Sequence, residues 1–180
     1  MKANKFRRLI VCIAAAALCG WMSAPALAQS QTNKLRVGVY DSRAIAIAYG
    51  NSTEFQQSLK SVQAEYNKAK EEKNDKRMKE IETRMKLAQR RLHEQGFSTG
   101  SVAGIMAKIK DSLPVVATQA GVQAIISKWE LNHQSTDLEV VDVTDNLVAL
   151  FHPSEKVMGW VKELKNHPPL PIEEITDDMD

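Results

Sequence analysis

From Leu35 to Tyr40 the chain alternates apolar and other residues with period two, the signature of a half-buried strand. Asp41 and Ser42 follow, offering side-chain oxygens that can cap a short helical turn through Ala48, and Gly50 to Thr53 breaks that turn. Asn51 with Glu54 three residues later has the form of a capping box opening the next helix. Phe55, Leu59, Val62, Tyr66 and Ala69 then recur at spacings of 4, 3, 4 and 3, a heptad seam narrower than an ordinary core-facing stripe. A second seam of Met78, Ile81, Met85, Ala88 and Leu92 keeps that rhythm in a shifted phase. Residues 70–77 between the seams hold no apolar side chain, so the helix either runs through with a stutter or turns near Asn74 and Asp75. The absence of glycine and proline favours continuity, which predicts one helix over residues 53–95.

So long and polar a helix needs a partner. The next stripe, Val102, Ile105, Ile109, Leu113, Val116, Ala120 and Ala124, lies beyond the glycine-flanked break at residues 96–100 and predicts a return arm kinked at Pro114. Residues 54–94 are dense in charge, whereas residues 112–127 carry none. The uncharged arm has more apolar surface than one helix contact requires. Its second face, with Val115, Val116, Val122 and Ile126, is expected to meet a client or a neighbouring subunit. Beyond Trp129, residues 138–143 and 147–151 read as strands flanking Thr144-Asp145-Asn146, turn chemistry for a β-hairpin. Ser154 caps a last helix with Val157, Trp160, Val161 and Leu164 on one face, and Pro168, Pro169 and Pro171 stop it.

The pattern predicts an α+β fold in which a long antiparallel helical hairpin, a coiled-coil arm over residues 52–131, stands on a small sheet built by the chain's two ends. The sheet comprises a strand at 35–40 and a β-hairpin at 138–151, with a short C-terminal helix at 154–165. Val37, Val39, Val140, Val148 and Leu150 are its expected core. Residues 29–33 form a flexible lead-in, residues 34–166 the domain, and residues 167–180 a Pro-rich acidic tail expected to be disordered.

The amino-terminal residues change the chemical picture. Lys2, Lys5, Arg7 and Arg8 precede an apolar run from Leu9 to Leu18 and a small-residue segment ending Ala26-Leu27-Ala28. This is the order of a cleavable secretory signal over residues 1–28, with an apolar core shorter than the roughly 20 residues that span a bilayer. Cleavage before Gln29 leaves no stable membrane anchor and removes both cysteines, Cys12 and Cys19, and with them any disulfide or thiol chemistry. The 24 Lys and Arg fall to 20 against 22 Asp and Glu, so the net charge becomes −2. That balance argues against a nucleic-acid partner.

No constellation for catalysis emerges. Asp41-Ser42-Arg43 ends a strand, where a nucleophile can sit, but no motif frames it and a turn cap explains it. His93, His133, His152 and His167 are scattered, without metal-pair spacing on one helical face. No nucleotide or cofactor motif is visible. Met78 and Met85 could offer a soft client surface, but as seam residues they read as core.

The order of strand, long helical hairpin, strand-turn-strand and terminal helix resembles the Skp/OmpH family of periplasmic chaperones. Residues 34–42, KLRVGVYDS, look like that family's first strand and exit turn. Residues 137–151, DLEVVDVTDNLVALF, resemble its strand-turn-strand, and Pro153, Val157 and Val161 stand where its last helix begins. The resemblance implies a homotrimer with helical arms around a cavity, and an ATP-independent holdase for unfolded outer-membrane proteins. Pro114, the sparsely charged return arm and the Pro-rich tail depart from the pattern. The competing expectation is an envelope coiled-coil scaffold that docks one folded partner through the same hairpin.

Overall fold

In the computed structural model, which describes residues 34–176, strand β1 (Leu35–Tyr40) forms where the alternation predicts it. The predicted secretory segment, its cleavage point and both cysteines lie outside the described residues, as do the last four residues. β1 is the central strand of three. β2 (Ala124–Ser127) pairs with one edge and β3 (Leu138–Asp142) with the other, both parallel to it. The register sets Val37 opposite Ala124 and Val140, and Val39 opposite Ile126 and Asp142. A parallel pair cannot be closed by a tight turn and needs a crossover. The β1–β2 crossover is the helical part of the chain.

α1 (Ser42–Gly50) opens at the end of β1, capped by the Asp41 carboxylate, which accepts from the Arg43 amide at 3.0 Å. Its Ala44, Ile45, Ala46 and Ala48 are buried against Val143, Leu147, Val148 and Val161, and this is the centre of the core. Gly38 permits the close packing on the sheet, since a Cβ there would lie 3.2 Å from methyls of Val122 and Val143. α2 (Thr53–Glu71) is capped by Ser52, whose Oγ accepts from the Phe55 amide at 3.3 Å. Asn51 instead closes α1, its side chain donating to the Ile47 carbonyl at 2.8 Å.

The long helix is not continuous. α2 ends at Glu71 and α3 (Asp75–Phe97) returns antiparallel beside it, so the hairpin tip is Glu72-Lys73-Asn74 and not the glycine loop. Lys73 adopts φ 54°, the left-handed geometry that usually calls for glycine. The amides of Lys73 and Asn74 bond back to the carbonyls of Lys70 and Ala69, at 3.1 and 2.8 Å, a Schellman closure. The Asn74 side chain then caps α3 through the Arg77 amide at 3.0 Å. A left-handed lysine carries a steric penalty that glycine lacks. Lys73→Gly is therefore expected to stabilise the protein by about 0.5–1 kcal/mol, read as a raised urea midpoint.

The return arm expected through residue 131 is likewise absent. Residues 103–127 break into α4 (Ala103–Met106), a 3₁₀ segment (Ala107–Ser112), α5 (Leu113–Ala120) and β2. Pro114 lies in the first turn of α5, where it deprives the helix of no internal bond, so it marks a start and not a kink. α5 ends at Gly121, φ 64°.

The expected second strand of the 138–151 ribbon is a helix, α6 (Thr144–Ala149). Its first residues are the supposed turn. Thr144 accepts from the Asp41 amide at 3.1 Å, and its own amide donates to Asp142 Oδ1 at 2.9 Å. Thr144, Leu147, Val148 and Phe151 are buried at helical spacing. Val148 thus serves the core from a helix, and Leu150 sits half-buried at that helix's C-cap. Val37 and Val39 are buried on β1 as expected, and Val140 is half-buried on β3. α7 (Glu155–Glu163) is capped by Ser154 and buries Val157 and Val161, while Trp160 lies 44 % exposed beneath Lys156.

The proline-rich segment after α7 is not a free tail up to residue 176. Arg43 donates to the carbonyls of Leu164 and His167, the Leu170 amide donates to Phe97, Ser98 donates back to the Leu170 carbonyl at 2.7 Å, and Ile175 is buried.

Candidate functional site

The two seams face each other, but they close at one end only. Near the tip Ala69 and Ile81 are buried, Tyr66 donates to Glu82 at 2.9 Å, and Glu65 binds both Arg77 and Arg84 across the pair. Toward the base the helices leave a groove of about 580 Å3 between them. Its apolar wall is Phe55, Leu59 and Val62 of α2 with Met85, Ala88 and Leu92 of α3. Leu59 and Met85 are 45 % and 42 % exposed, so these seam residues present a surface and do not fill a core. At about 1.5 Å per residue the helices run roughly 28 and 34 Å, long enough to lay several residues of an extended chain along the groove.

The groove is anchored to the body at its open end. Tyr49 of α1 stacks edge-on against Phe55, with centroids 5.4 Å apart, and against Phe151 at 6.0 Å. Lys108 lies over Tyr49 at 5.4 Å and binds Glu54 at 2.6 Å. The rest of the lining is polar: Ser58 of α2 with Arg84, Gln89 and His93 of α3. An apolar floor with a hydrated rim holds apolar segments through many weak contacts and keeps the assembly soluble.

The expected client-facing residues fall elsewhere. Val115 is 56 % exposed on α5, but Val116 and Val122 are buried in the body, and Ile126 is half-buried on β2 opposite Val39. The absence of charge from residues 112–127 reflects a segment folded into the core and sheet. The groove residues did carry a signal, a seam with alanine and methionine where close helix packing favours larger branched side chains.

Asp41-Ser42-Arg43 is a structural knot. The Arg43 guanidinium grips the Asp41 carboxylate through both oxygens, at 3.1 and 2.8 Å, with Lys128 at 2.8 Å and the Trp129 indole at 3.3 Å. With all its lone pairs so engaged, the carboxylate has nothing left for acid–base work. Among the described residues no three His, Asp or Glu side chains converge as metal ligands, and no helix is long and apolar enough to cross a membrane. Compared with family models, curated proteins and solved structures, the chain matches none.

Proposed function

We propose that this protein is an exported, nucleotide-independent holdase of the Skp/OmpH type that keeps unfolded outer-membrane proteins soluble in the periplasm. The single observation that carries the reading is the half-open apolar groove between α2 and α3, which no described part of the chain covers. Unfolded membrane strands expose apolar side chains on alternate positions and would aggregate in water. A groove floored by unbranched methionine and small alanine accommodates varied side chains without a fixed pocket. The leader-like residues 1–28 and the family-like block at 34–42 support the assignment. Both β2 and β3 are edge strands with one unpaired side, which supports self-association through the sheet, a homotrimer in the family's manner.

The test is light scattering of a refolding outer-membrane barrel with and without the purified protein. Stoichiometric excess is expected to suppress aggregation. Leu59→Glu combined with Met85→Glu should abolish suppression while changing stability by less than about 1 kcal/mol, because both side chains are nearly half exposed. A scaffold that docks one folded partner would leave aggregation unchanged in wild type and variant alike, and that result sinks the holdase reading. The intact mass of the exported protein should match a chain beginning at Gln29, and sedimentation equilibrium reports the oligomer.

A further inference from the structure

Residues 83–91 of α3 carry Arg84, Lys86, Arg90 and Arg91 without an acid. Arg84, Leu87 and Arg91 line one shallow depression of about 360 Å3 on that helix, which shares Arg84 and Ala88 with the groove. Arg84 is engaged by Glu65, and Glu80, the one acid in the depression, is taken by Arg77. Arg91 has no ion-pair partner among the described residues. Between the two arginines Leu87 is 62 % exposed, more than any other large apolar side chain described. A cation, an apolar side chain and a second cation thus stand in a row.

A segment of the opposite pattern is tethered at the end of the same helix. Residues 166–180 contain five acids, Glu173, Glu174, Asp177, Asp178 and Asp180, and no lysine or arginine. Leu170 is fixed at the foot of α3, where its amide donates to the Phe97 carbonyl and its carbonyl accepts from Ser98 Oγ. Arg91 lies six residues back along the helix from Phe97, about 9 Å. The seven residues from Leu170 to Asp177 can span up to about 23 Å, so residues 177–180, outside the described part, reach the depression.

The lengths also agree. An extended chain covers about 10 Å from Asp177 to Asp180, and the helix rises about 10.5 Å from Arg84 to Arg91. With the segment running from the foot of α3 toward the hairpin tip, Asp177 falls at Arg91, Asp180 at Arg84 and Met179 at Leu87. Each exposed pair is weak alone, but the tether holds the segment at high effective concentration.

We propose that residues 177–180 dock in this depression on α3, with the aspartates on Arg91 and Arg84 and Met179 on Leu87. A segment so placed lies along the edge of the groove, because Arg84 and Ala88 line both. The contact stands apart from the holdase reading and survives its failure.

Amide spectra of the isotopically labelled protein test this. Asp177→Asn, Asp178→Asn and Asp180→Asn made together should move the amides of Thr83, Leu87 and Arg91 and leave those of β1 in place. In an Arg91→Glu background the same three substitutions should move the α3 amides at least about threefold less, since the main anchor is gone. In about 1 M salt, where the screening length is roughly 3 Å, the difference between wild type and triple variant should shrink several-fold. Arg91 is exposed and the aspartates lie beyond the core, so the variants should fold. Tenfold dilution should leave the wild-type spectrum unchanged, as docking within one chain requires. Unmoved α3 amides in the triple variant, a difference that Arg91→Glu leaves intact, or one that fades on dilution and so reports docking between copies, would each overturn the proposal.

Discussion

Asp41→Ala is expected to cost about 3–5 kcal/mol, enough to unfold a large share of a domain of ordinary stability. The substitution strands Arg43, which is 2 % exposed and then keeps only carbonyl acceptors at Leu164 and His167. It also strips the cap from α1 and one of the contacts of Lys128 and Trp129. Most of the loss is an uncompensated buried charge, and the cap adds about 1 kcal/mol. Asp41→Ala combined with Arg43→Met should therefore recover more than half of it, because no charge then lies buried. Urea unfolding of the single and double variants measures this. A double variant no more stable than the single one would show that the knot acts through shape and not charge.

The same carboxylate carries a pH dependence. Burial alone would raise its pKa, but the hydrogen bonds from Arg43 and Lys128 more than offset burial, and the net shift is downward. A group with a depressed folded pKa stabilises fully above its unfolded value, about 3.9 for Asp, and loses that contribution as pH falls through the folded value. Wild-type stability should thus hold above about pH 4 and fall below it. Asp41→Asn, which keeps the cap oxygen, should show a shallower acid limb.

Leu147→Ala is the other large effect, about 2–5 kcal/mol. The side chain is completely buried in α6 and joins the cluster centred on α1. Its removal leaves a cavity that neighbours from α1, α6 and α7 can fill only in part. Leu150→Ala, at a half-buried position three residues on, should cost less than half as much. On a two-sided buried strand Leu147 and Leu150 would face opposite layers at comparable cost. The ratio of the two losses therefore reports whether this segment is helix or strand.

That segment marks where sequence reading reaches its end. Residues 147–151 are all apolar, and an unbroken short apolar run does not distinguish a buried strand from one face of a buried helix. The choice was made by Thr144, whose hydroxyl accepts from the Asp41 amide, by Asp142, whose carboxylate accepts from the Thr144 amide, and by α1, which offers a helix-shaped surface. The tip of the hairpin was the less favoured of two readings, since the sequence allowed a turn near Asn74 and Asp75 but showed no glycine or proline there. The turn at residues 72–74 uses a left-handed lysine, an uncommon choice that no residue-type rule would single out. The opposing seams fold it by burying Ala69 and Ile81 and by pairing Glu65 with Arg77 and Arg84 across the helices. The groove was half legible, since its apolar residues were all found in the seams but assigned to a closed interface.

Local physical chemistry, written in the sequence, determined β1, the heptad seams, the capped terminal helix and the α+β class, because alternation, periodicity and capping act between residues a few positions apart. Tertiary structure alone decided that the three strands run parallel, that the uncharged stretch ends as an edge strand, and that the seams splay into a groove. Those outcomes depend on which distant surfaces compete for the same apolar side chains. That competition is settled by packing across residues separated by a hundred positions, such as Val39 and Asp142.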